Sequence, residues 1–65
     1  SMRPKDVASL LTVMMQKGDE GHADAISLLK KTGPDLKMRI LSAIAKDDIA
    51  MAAELTQTLM MPSTD

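Results

Sequence analysis

Along residues 5–17, KDVASLLTVMMQK, apolar side chains fall at Val7, Leu10, Leu11, Met14 and Met15. Intervals of three and four lay one stripe along a helix, whereas a half-buried strand alternates every second residue. The spacing predicts a helix over 5–17. Pro4 suits its first turn, Asp6 is placed to cap it or to complement its dipole, and Gly18 suits the residue just past its end. The segment GDEGH at 18–22 is loop chemistry, with His22 or Asp24 available to cap the next helix. That second pattern, over 23–31, puts Ala25, Ile26, Leu28 and Leu29 on one side and stops at Thr32-Gly33-Pro34. Proline lacks the N–H and clashes with the preceding turn, at a cost of about 3 kcal/mol inside a helix. Two helices therefore meet at Pro34.

Pro34 opens the third pattern, over 34–46, in which Leu36, Ile40, Leu41, Ala43 and Ile44 are apolar. Asp47 and Asp48 interrupt it and can cap a fourth helix over 48–60. There Ile49, Ala52, Ala53, Leu59 and Met60 follow one face, with Met51 and Leu55 beside it, and the Ala52-Ala53 pair leaves room for a close neighbour. Pro62 closes the helix and residues 62–65, PSTD, read as a frayed tail. No run of period two suggests a strand. The expected fold is all-α, a compact bundle of four short helices forming a single domain over 3–61, with Leu29 and Ile40 in its core. Ser1-Met2 reads as an expression remnant at the start of the chain.

The helices echo one another. DVASLL at 6–11 and DAISLL at 24–29 share Asp, Ser, Leu and Leu in register, and DLKMRIL at 35 and DIAMAAEL at 48 repeat the opening more loosely. Helices this short cannot bury an apolar face alone, so each aspartate and the Gly33-Pro34 corner turn the chain to let neighbours stack. Over residues 24–60 the stretches DAISLLKKT, GPDLKMRILSAI and AKDDIAMAAELTQTL resemble the superhelical helix repeats of the N-terminal domain of bacterial magnesium transporters, and of related flagellar motor-switch domains. The family pattern is an Asp-led helix, a Pro-led helix and another acid-led helix. The resemblance implies a scaffold or partner-docking surface. The metal-sensing acids of the transporter domain have no matching cluster here.

Composition narrows the means of stabilisation. The 65 residues include no Cys and no Phe, Tyr or Trp, so disulfides, cysteine-bound zinc and aromatic stacking platforms are excluded. A core this small is marginal, and Leu, Ile, Val, Ala and seven Met must fill it. A net charge of −1 argues against general binding to nucleic acid or to membrane surfaces. No apolar run approaches the ~20 residues that span a bilayer, and no secretory signal pattern is present. A soluble cytoplasmic protein is expected.

Candidate chemistry is sparse. Asp19, Glu20, His22 and Asp24 are potential metal ligands, but Gly21 and Ala23 occupy the alternate positions that a calcium loop needs, and zinc lacks further N or S donors. A solvated loop is the simpler reading. With one His, no Cys and no phosphate-binding glycine loop, no catalytic, cofactor or metal site is expected, and no small-molecule substrate. Lys30, Lys31, Lys37, Arg39 and Lys46 face one acid, Asp35, within 30–46, while 47–65 holds acids and no base. A solvated face is the plain account, with pairing to Asp47, Asp48 and Glu54.

Two functional classes follow. The first is a non-enzymatic protein–protein docking module that presents a Met/Leu-rich groove of the first and fourth helices to a partner helix or a second copy. Leu11, Met14, Met15, Leu55, Leu59 and Met60 are its expected lining. The same six residues would alternatively complete the core of a monomer. The second class is a fragment of a winged helix-turn-helix domain, suggested by RILSAIAKDDIAMAAELTQTLMMPST, in which the recognition helix would begin where the chain stops. The charge disfavours it.

Overall fold

Proline opens two of the four helices. The computed structural model describes residues 2–62 and contains α1 (Pro4–Met15), α2 (Gly18–Lys30), α3 (Pro34–Asp47) and α4 (Ile49–Met60), with no strand among the described residues. Pro4 and Pro34 occupy the first turns of α1 and α3, where a missing N–H is no loss. Asp6, at the third position of α1, helps to cap the helix as expected: its Oδ2 accepts from the backbone N–H of the N-cap residue Arg3 at 3.4 Å, and the carboxylate sits in the positive first turn. Residue 1 and residues 63–65, most of the expected tail, lie outside the described residues.

Asp48 joins α3 to α4 as a single non-helical residue. Its Oδ1 accepts the Met51 N–H at 3.0 Å, so the expected cap of the fourth helix belongs to Asp48, and Asp47 ends α3. Asp48→Ala removes that acceptor from an otherwise unpaired N–H, and is expected to cost about 1 kcal/mol. In a domain this size that lowers the thermal midpoint by roughly 4–8 °C, readable by circular dichroism.

The second helix is longer than the pattern suggested. It starts at Gly18, not at residue 23, and takes in the whole GDEGH segment. Gly18 has φ +81°, a left-handed conformation that lets the chain reverse after Lys17. Asp19 and Glu20 then lie in the first turn, where carboxylates favour the exposed N–H groups. Neither His22 nor Asp24 caps the helix, since both lie inside it. Gly21 meets α1 directly: a Cβ there would run into the carbonyl oxygen of Met14. A glycine that looks like a loop residue in sequence is a helix-packing residue in the fold.

α1 packs against α2 and α3, and α4 packs against α3 and α2, which sets α1 and α4 at opposite corners. Leu11, Ala25, Leu29, Ile40, Ile44 and Leu55 make the centre, with Ala8, Ile26, Leu41 and Ala52 around them. Leu29 and Ile40 are core residues, as the pattern predicted. Of the Ala52-Ala53 pair, only Ala52 faces inward. The radius of gyration, 11.0 Å, matches the ~11 Å of a compact chain of this length. The short helices therefore close on one another.

Candidate docking surface

The six residues expected to line a groove divide between core and surface. Leu11 and Leu55 are 0 % exposed, so neither reaches a surface. Met14, Met15 and Leu59 are half-buried and pack against the core. Met60 alone is fully outside, at 78 % exposure. The expected groove also needs α1 beside α4, and the two stand at opposite corners. Its lining is instead largely consumed in closing the core, as a chain without aromatic rings requires.

The outer side of α4 is a different surface. Ile49 is 71 % exposed, and Ala53, Thr56 and Met60 are exposed with it. At about 100° per residue, the intervals of four, three and four between them keep all four on one stripe. The pattern had placed Ile49, Ala53 and Met60 on the same face as Ala52 and Leu59. The structure splits that face, turning Ala52 inward and Leu59 against the core, and Ile49, Ala53 and Met60 outward.

α4 carries a single charge over its length, Glu54. That carboxylate lies on the flank toward α2, where Oε2 is 2.9 Å from Nε2 of His22. This exposed contact joins α2 to α4 and contributes roughly 0–1 kcal/mol. It replaces the expected pairing of Glu54 with the lysines. Thr56 donates its hydroxyl to the Ala52 carbonyl at 2.8 Å, so the polar group of the stripe is satisfied within the helix. Covering this stripe would bury no charge and break no hydrogen bond.

The other helices expose apolar residues in charged company. Leu10 and Val13 on α1 stand in register with Asp6 and Lys17, and Leu28 on α2 stands with Asp24 and Lys31. On α3, Leu36 and Met38 are exposed among Asp35, Lys37 and Arg39. Exposed apolar side chains bordered by charge in this way are ordinary on a protein surface. A low charge count over residues 49–60 is the sequence signal that would have singled out the outer face of α4.

Among the described residues nothing else gathers into a site. A cleft of about 220 Å³ lies between α1 and α3, with Lys5, Asp47 and Asp48 at its rim over Ala8, Ala43 and Ile44. Ligand pockets usually measure ~300–1,000 Å³ and enclose most of the ligand, so this cleft is small for one. Among the described residues no three His, Asp or Glu side chains come together as a metal set. On α3, Arg39 and Lys46 share a stripe two turns apart, whereas Lys37 lies roughly 160° away around the helix. Residues 63–65, where a recognition helix would begin, lie outside the described residues. Among the described residues no helix is long and apolar enough to cross a membrane. Comparison of the chain with protein-family models, with curated proteins and with solved structures yields no match.

Proposed function

We propose that this chain is a non-enzymatic protein–protein docking module, and that its docking face is the outer side of α4. The observation that carries this reading is the absence of charge on that face: Ile49, Ala53, Thr56 and Met60 are exposed, and the only charge on α4 is held toward His22. An exposed helix face in a monomer is ordinarily charged, which keeps it in water. This one has what a helix–helix contact needs, large residues at the ends and small ones between, so that a partner backbone approaches closely. Met60 adds an adaptable side chain suited to such surfaces. The resemblance of residues 24–60 to scaffold-forming helix repeats points the same way.

The reading predicts a partner helix with its own uncharged apolar stripe. A synthetic helical peptide bearing Ile, Ala and Met on one face, and Lys and Glu elsewhere, serves as the probe. Added to the isotope-labelled protein, it is expected to shift amide resonances of α4 centred on Ala53 and Thr56. Ala53→Glu is expected to weaken binding tenfold or more while leaving the thermal midpoint unchanged, because Ala53 makes no core contact. No shift at millimolar peptide, or shifts centred on α1, would end this reading.

A further inference from the structure

We infer that the occupant of the outer face of α4 is α4 of a second copy of this chain, laid antiparallel across a two-fold axis between Ala53 and Thr56. The inference rests on the docking reading of α4 and adds to it the identity of the partner.

The stripe is its own complement. Its intervals of four, three and four read the same in both directions along the chain. When two copies of α4 meet antiparallel about the centre of the stripe, Ile49 of each faces Met60 of the other, and Ala53 of each faces Thr56 of the other. The large residues meet at the two ends and the small ones at the crossing, where helix axes come closest. A two-fold contact demands this reciprocity, in which the same patch serves both partners.

Charge argues for the same occupant and for the same direction. The face is uncharged, so a charged partner would bury its own charge without a counterpart, whereas a second copy brings an equally uncharged face. Asp47 and Asp48 sit at the N-terminal end of α4, with no basic residue in its last turn to answer them. A parallel pair would crowd the four carboxylates of two copies together. An antiparallel pair separates them by the length of the helix, roughly 18 Å at 1.5 Å per residue, beyond a Debye length of about 8 Å. It also sets the positive end of each helix dipole beside the negative end of the other.

The area sets the strength. Stable complexes bury about 1,200–2,000 Å² in total, with some 20–30 residues on each side. One face of a 12-residue helix offers far less. The dimer is accordingly weak, with a dissociation constant on the order of 100 μM.

Sedimentation equilibrium of the full chain from about 20 μM to 2 mM tests the inference. The apparent mass is expected to rise toward twice the monomer value across that range. Ala53→Glu is expected to raise the dissociation constant at least tenfold, with helical circular dichroism at low concentration unchanged. Ile49→Lys and Met60→Glu are each expected to weaken association, and the double variant Ile49→Lys/Met60→Glu to restore it, since the two new charges would face each other only in the antiparallel register. A chain that stays monomeric at 2 mM overturns the second copy as occupant, and the peptide titration then decides the docking reading separately. A dimer indifferent to Ala53→Glu places the interface elsewhere and overturns the inference. Loss of association in both single variants without recovery in the double one overturns the antiparallel register.

Discussion

Leu29→Ala is expected to destabilise the chain by about 2–5 kcal/mol and to leave much of it unfolded at 25 °C. Leu29 is fully buried, within a centre that it shares with Leu11, Ala25, Ile40, Ile44 and Leu55. Removing its branched end loses the transfer free energy of the missing carbons and leaves a cavity. The neighbours are small or branched aliphatic side chains, with no aromatic ring to swing into the gap. Relaxation must come from moving short helices, which disturbs every other contact. Against a total stability of roughly 3–10 kcal/mol for a domain of this size, the loss is decisive. Urea denaturation followed by circular dichroism measures it. Leu10→Ala, on the half-exposed outer side of α1, is the control and is expected to stay within about 0.5 kcal/mol of the parent chain. Equal effects for the two variants would mean that Leu29 does not anchor the core.

Gly21→Ala is expected to be the next most damaging substitution, in a direction opposite to what helix propensity alone predicts. Alanine is favoured over glycine inside a helix by about 0.8–1.0 kcal/mol, so on an open helix surface the change would stabilise. At Gly21 the new Cβ would meet the Met14 carbonyl oxygen, which is backbone and cannot rotate away, and would press on Cβ of Lys17 at 3.0 Å. α1 and α2 must then separate, and the contacts of Leu11 and Ala25 loosen with them. Overpacking of this kind costs typically 1–3 kcal/mol, enough to reverse the propensity gain. A thermal midpoint below that of the parent chain is the expected result. A higher midpoint would show that α1 and α2 tolerate a wider spacing at this crossing.

The number and order of the helices were legible because most boundaries have a local cause; the start of α2 was not, since GDEGH carries the chemistry of a loop. Pro4 and Pro34 can sit only where a backbone N–H is dispensable, and Asp48 satisfies the first turn that follows it. The inward stripes of α1, α2 and α3 were legible in outline, because polar residues alternate with apolar ones at helical intervals and charge marks the outside. Leu29 and Ile40 could be placed in the core on that ground, whereas Leu11, expected in a groove, proved to be core.

Two features were decided only by the way the helices meet. Gly21 carries the same local signal whether it relaxes a loop or admits a neighbouring backbone, and only the nearness of Met14 separates the two. α4 is apolar nearly all round, so its period cannot choose an inner face. Packing against α3 and α2 turned Leu55 inward and left Ile49 and Met60 in water. The sequence by itself determined the number and order of the helices and most of their ends, though not the start of α2, since caps and breakers act over a few residues. The tertiary structure decided which side of a helix with a single charge is spare, because burial depends on neighbours that are remote along the chain.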